Sequence, residues 1–188
     1  MTASLTPAHR ILMIIAPDQF RDEELLTPRD IFLREGWVVD TISTRTGQAH
    51  GSKGAIELIS RDVEEVVGDT DAYDAVVVVG GMGSIEFLWD NTAIHQILRD
   101  IANRSRVVAA ICLSGAVPAK AGLLDGKKAT VWETEGSLTV FRKHNVQFTG
   151  EPVTQDGLFI TANGPDAAAT FGEAIVKAVK SLSPAVVH

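Results

Sequence analysis

A single cysteine, Cys112, ends the apolar run "VVAAI" (Val107 to Ile111) and is followed by the small-residue stretch "LSGAVPAKAG". A thiol at a sharp strand-to-helix turn is a nucleophile in waiting. Such a turn is strained and needs small neighbours, here Ala110, Ser114 and Gly115. The helix that follows would offer free N–H groups and its dipole to a thiolate. The opposing reading is a small buried hydrophobe, because free cysteine is among the most buried residue types. Local sequence leaves both readings open.

Two other clusters could complete a cysteine site. Gly80-Gly81 closes a second apolar run, Tyr73 to Val79. The pair serves a tight turn, or lets a bare backbone N–H approach a reacting centre and form an oxyanion hole with the N–H of Leu113. "GGMGSIEF", which includes Met82, lacks the G-x-G-x-x-G spacing of a dinucleotide loop. Asp22, Glu23 and Glu24 open a helix-like segment, where acids complement the dipole. One of them turned inward and desolvated would hold its proton near neutral pH. It could then donate to a thiolate and lower the thiol pKa.

The five histidines sit poorly for catalysis. His9 and His188 are near the ends, His50 falls in a hairpin turn, and His144 closes the charged segment "FRKH". His95 falls opposite most of the apolar stripe of its helix. With one cysteine and no histidine behind it, neither a disulfide nor a zinc site is visible.

The elements that must position these groups alternate along the chain. Ile11–Ala16, Trp37–Ile42, Tyr73–Val79 and Val107–Ile111 are short apolar runs, three of them rich in Val and Ile. They read as strands covered on both faces, hence a parallel sheet between helices. Helical patterns run from Leu25 to Glu35 with Gly36 as the stop, and from Thr92 to Asn103 behind an Asn91 or Asp90 cap. Others cover Leu113–Leu123, Thr134–His144 and Pro165–Leu182. Pro28 either starts the first helix behind Thr27 or bends one that began earlier. "GQAHGSKGAIEL" and "EPVTQDGLFITANG" read as hairpins. The expected fold is an α/β doubly wound, mainly parallel sheet with hairpin additions. In such sheets ligands bind at the carboxyl ends of the strands, where "PDQFRDEEL", "GGMGSIEF" and the Cys112 turn would meet. Residues 1–188 read as one domain with an ordered core over about 9–182, without linkers or repeats. The first few residues and "SPAVVH" read as loose ends.

Bulk composition narrows the partners. The net charge of -7, from 24 acidic and 17 basic residues, argues against nucleic acid, since the basic residues are scattered. No apolar stretch reaches bilayer length and no secretory leader is visible, so a cytoplasmic setting is expected.

Together "FRDEELLTPRDIFLREGW", "DAVVVVGGMGS", "VVAAICLSGAVPAKAGLLDGKKAT" and "EPVTQDGLFITANGP" resemble the ThiJ/PfpI superfamily, cysteine-bearing relatives of class I glutamine amidotransferases. The resemblance runs from about Arg10 to Val179 and implies a flavodoxin-like sandwich, a homodimer or larger assembly, and no cofactor or metal. By position, Cys112 becomes the nucleophile and Glu24 its carboxyl partner, with Glu23 next in register. Gly81 and Leu113 become the oxyanion hole, with Gly80, Met82 and Trp132 lining the pocket. Family activities include peptidase, glyoxalase, deglycase, isonitrile hydration, chaperone action and oxidation sensing.

Two departures matter. The peptidase branch carries histidine directly after the cysteine, where this chain has Leu113. Glyoxalase-like members often carry histidine where this chain has Trp132. Glu86, Glu133 and Glu135 are the nearby acids that could replace that base. The expectation is a cysteine enzyme acting on a small reactive carbonyl compound, by hydration or adduct hydrolysis. The alternatives are a redox sensor or stress chaperone using an oxidisable Cys112, a peptidase, or an electrophile-binding module without turnover.

Overall fold

The computed structural model describes residues 8–182. The expected loose ends, and with them His188, lie outside the described residues. Strand β1 (Arg10–Ile14) leads through a three-residue strand β2 (Asp18–Phe20) into helix α1 (Asp22–Arg34). Then come β3 (Val38–Ile42), the hairpin β4 (Gly47–Gly51) and β5 (Ile56–Ile59), and a short helix α2 (Val63–Val66). Strand β6 (Ala75–Val78) precedes α3 (Gly83–Phe87) and α4 (Thr92–Asn103). Strand β7 (Val107–Ile111) enters a 3₁₀ turn at Cys112–Gly115 and then α5 (Ala116–Lys120). The chain finishes with β8 (Lys128–Ala129), α6 (Glu135–Lys143), β9 (Gln147–Phe148), the hairpin β10 (Val153–Asp156) and β11 (Phe159–Ala162), and α7 (Ala168–Lys180).

The main sheet has six strands in the order β10-β11-β7-β6-β1-β3. All neighbours are parallel except β10 and β11. Three of the four apolar runs, β1, β6 and β7, sit at its centre, where every residue of β6 and β7 is buried; the fourth differs from expectation, because β3 is the edge strand and only Ile42 of it is buried. From β1 the chain crosses to β3 on one side, while from β6 it crosses to β7 on the other. Because such crossovers are right-handed, α1 and α4 cover opposite faces. The order reverses between β1 and β6, so the loops after β1, β6 and β7 converge at one edge. The mainly parallel, doubly wound sheet with hairpins is as expected from the alternation.

Helix α1 starts earlier than its apolar pattern, at Asp22, and places Pro28 inside. Its Leu25, Pro28 and Phe32 are buried, and it packs against α7 at Gly172, where a β-carbon would come within 2.9 Å of Ile31 and 3.2 Å of Pro28. Gly36 stops it at φ +77°, as a left-handed C′ residue should. Helix α4 has the expected bounds, and Asn91 caps it by accepting from the Ile94 N–H at 3.0 Å. The segment Leu113–Leu123 is no continuous helix but a 3₁₀ turn followed by five α-helical residues. Among the described residues no helix is long and apolar enough to cross a membrane.

Candidate active site

Cys112 is the first residue past β7 and has φ +60°, in the left-handed region that costs a side-chain-bearing residue about 1–2 kcal/mol. The strain is absorbed by the strand behind it and the 3₁₀ turn ahead. Ser114 donates its Oγ to the Val79 carbonyl at 2.6 Å, tying the turn to the end of β6. The Trp132 N–H donates to the Cys112 carbonyl at 3.3 Å, and the Trp89 indole N–H to the Leu113 carbonyl at 2.9 Å. The elbow is thereby held on the two successive peptide units that follow Cys112.

The glycine loop after β6 brings backbone to that sulfur. Gly81 has φ +106°, and a β-carbon there would meet the Gln19 carbonyl oxygen at 2.3 Å. Gly83 is equally bare, because the Asp18 carbonyl would lie 1.8 Å from its β-carbon. The loop therefore lies flush on β2, and the Arg21 N–H donates to the Gly80 carbonyl at 3.0 Å. This close approach is what the two glycines are for. It delivers the Gly81 N–H toward the Cys112 sulfur, alongside the N–H of Leu113.

Glu24 comes from the first turn of α1 and is fully buried. Its Oε2 accepts from the Gly80 N–H at 3.0 Å. Its Oε1 has no partner of hydrogen-bonding geometry, and the Cys112 thiol is close enough to act on its ionisation. Gly80 lies between the two groups: a β-carbon there would stand 2.4 Å from Glu24 Oε2 and 2.6 Å from Cys112 Cβ. Burial pushes the carboxyl up to about 7. The other two acids are accounted for elsewhere. Glu23 pairs with Arg21 at 2.7 Å, and Asp22 accepts from the Lys53 and Ala55 N–H groups at 3.0 and 2.8 Å. Glu24, not Glu23, is the thiol's neighbour.

Burial works against the thiolate that the turn and its N–H groups would favour. The thiol is pushed up to about 12, first by burial and then by the charge of Glu24, against the pull of the two N–H groups. A four-residue 3₁₀ turn and a five-residue helix carry too little dipole to offset that desolvation. The charge contribution vanishes when Glu24 carries the proton. The two groups thus titrate as one pair, in which a proton leaving sulfur has the carboxylate to go to.

Sulfur and carboxyl open into a cleft of about 440 Å³. Gly81, Met82, Leu113 and Trp132 line it as expected, with Met82 67% exposed and Leu113 buried. Gly80 is not in that lining; it sits beneath, between Glu24 and Cys112. The cleft also takes Arg21, Ser52, Pro165 and Asp166, which the sequence reading missed. These come from the β2–α1 junction, the β4–β5 turn and the loop after β11, so only the tertiary fold joins them. Glu86, Glu133 and Glu135 are exposed and outside the cleft, and Glu135 is bound to Arg142 at 2.8 Å.

Two histidines differ from expectation. His50 lies within β4 rather than in a turn. His95 is buried, with Nε2 2.8 Å from the Trp89 carbonyl, because α5 covers that side of α4. Neither lines the cleft.

The elbow, the glycine loop and the buried carboxyl agree with what comparison finds. The sequence model of the DJ-1/PfpI family matches residues 9–178. The chain belongs to the DJ-1/PfpI family. An uncharacterized protein of Methanocaldococcus jannaschii is 40% identical over 91% of this chain and 82% of its own. A crystal structure of a ThiJ/PfpI domain protein from Brachyspira murdochii has a TM-score of 0.87 at 31% identity, covering 94% of this chain and 99% of that one. A more distant family member, named a deglycase, from Pyrococcus abyssi, is 27% identical over 82% of this chain and 90% of its own. Membership in the DJ-1/PfpI family fits the flavodoxin-like sheet and the position of Cys112 at its switch point.

Proposed function

We propose that this protein is a cofactor-independent cysteine enzyme acting on small reactive carbonyl compounds, by hydration or by hydrolysis of their adducts. One observation carries the reading. A strained cysteine, two backbone N–H groups and a buried carboxyl with a free oxygen converge on one cleft. Relatives named deglycases support it.

The chemistry can be followed on methylglyoxal. The Cys112 proton passes to Glu24 as sulfur adds to the aldehyde carbon, and the carbonyl electron pair moves to oxygen. That oxygen, facing backbone N–H groups, takes the proton back from the carboxyl. Glu24, again a carboxylate, removes the hydrogen of the first carbon and returns it to the second, while the hydroxyl proton on the first carbon's oxygen moves to the second carbon's oxygen. A lactate thioester results. Water then cleaves the carbon–sulfur bond, releasing lactate and restoring the thiol. Glu24 serves as both base and acid, which suits a carboxyl held near 7 and removes the need for a histidine at Trp132.

The test is turnover of methylglyoxal by the intact protein and by Cys112→Ser. Turnover in the first and its loss in the second supports the reading. Equal rates, or none from either, overturn it. A redox-sensing role would instead show as selective oxidation of Cys112 by mild peroxide, read as added oxygen mass.

A further inference from the structure

The Cys112 cleft does not end at Trp132. A second hollow of about 330 Å³ adjoins it, and both share Trp132, Pro165 and Asp166 in their linings. Beyond Trp132 the second lining is apolar or neutral apart from Asp166, with Pro152, Asn163 and Thr170 among its residues. The indole is 49% exposed yet well fixed. It covers the bare backbone of Gly164, where a β-carbon would come within 2.8 Å of the ring, and the Ser137 hydroxyl holds the Trp132 carbonyl at 2.6 Å.

Charge at this junction is unbalanced. Arg21, the cation of the cleft, is bound through two nitrogens to Glu23 at 2.7 and 3.2 Å. Asp166 is exposed and makes no hydrogen bond or ion pair among the described residues. An unpaired carboxylate beside an exposed indole attracts a cation, the one by its charge and the other through its ring face.

We propose that Trp132 and Asp166 determine specificity for a substrate whose electrophilic carbon is joined by a short chain to a cationic nitrogen, an alkylammonium or guanidinium. The reacting head sits at Cys112 and the cationic tail lies at Trp132, toward the second hollow. This rests on the carbonyl-directed reading of the site and narrows it. Methylglyoxal, small and uncharged, would make no use of this region.

Because Cys112 is the only cysteine, charge selection can be read without turnover. Three methanethiosulfonates with the same reactive head carry trimethylammonioethyl, hydroxyethyl or sulfonatoethyl tails. Each forms a disulfide with Cys112, the thiol proton passing to solvent and methanesulfinate leaving. Labelling rates are followed by mass, and each is divided by its rate with free 2-mercaptoethanol.

The expected order is cation, neutral, anion, with about tenfold between the extremes. Asp166→Asn should cut the cation-to-neutral ratio about fivefold, and Trp132→Leu about threefold. A preference for the sulfonate would instead make Arg21 the recognising group and overturn the proposal. So would an Asp166→Asn ratio equal to that of the intact protein. Charge-selective labelling without carbonyl turnover retires the proposed reaction but leaves the cation-selecting role standing. Turnover without charge selection does the reverse.

Discussion

Gly80 donates its N–H to Glu24 Oε2 across 3.0 Å, and the gap left by its missing β-carbon is where carboxyl and cysteine meet. A methyl group there would press on Glu24, on Cys112 and on the Ile111 carbonyl oxygen at 2.7 Å. Gly80→Ala should therefore cost about 1–3 kcal/mol by overpacking and also slow Cys112 alkylation. Gly122 supplies the control. Its φ is +82° with nothing within 4 Å, so Gly122→Ala should cost only about 1 kcal/mol of backbone strain and leave the alkylation rate alone. Urea unfolding and iodoacetamide labelling read both.

Stability should fall as pH rises from about 4.5 to about 7. In that window the folded chain keeps the Glu24 proton that the unfolded chain has lost, so each step up in pH favours unfolding. The full stabilisation is present below 4.5 and is lost through 7, a difference on the order of 3 kcal/mol. Glu24→Gln should flatten this part of the curve. A wild-type curve that rises across the same range would show Glu24 ionising more readily than its burial implies.

Catalysis should run the other way. The pair is idle when both groups are protonated, so kcat/KM should rise through about pH 7. Glu24→Gln has no carboxylate to receive the thiol proton. Its turnover should drop by about 10²–10⁴ and the acid limb near 7 should vanish. A limb that persists in the variant would assign it to another group.

Trp89→Phe removes the indole N–H from the Leu113 carbonyl while keeping a ring in place. Leaving that buried carbonyl unpaired should cost about 1–3 kcal/mol. The preceding peptide unit carries the Leu113 N–H aimed at sulfur. kcat should therefore fall more than KM rises, which a merely structural loss would not produce.

Apolar runs sufficed to locate β1, β6 and β7, because strands buried on both faces must be continuous in Val, Ile and their like; β3 shows the same kind of run although it is an edge strand with Val38 exposed. Thr92–Asn103 was equally legible, since its stripe and its Asn91 cap are local. Three-residue β2 was not, for "DQF" has no periodicity to read, and it exists because β4 and the glycine loop pair or pack with it. His95 looked exposed on a helical wheel, yet a second layer, α5, covers it. Asp166 and Arg21 carried no signal at all, being brought to one cleft from loops far apart in the chain. The depth at which the thiol lies is hidden for a similar reason. A dipole can be guessed from a strand-to-helix turn, whereas the depth of burial depends on everything packed around it.

The buried carboxylate of Asp22 bears on how anything enters the cleft. It clasps the turn between β4 and β5 through the Lys53 and Ala55 N–H groups, and Gly51 is bare to let it in. Ser52 on that turn is thus bolted to the same helical turn that carries Glu24, and it cannot swing away without breaking both bonds. One jaw of the cleft is fixed to the helical turn that bears the Glu24 carboxyl. Any widening to admit a bulky ligand has to come from the other jaw, by displacing Trp132 from Gly164 and shifting the Pro165–Asp166 loop.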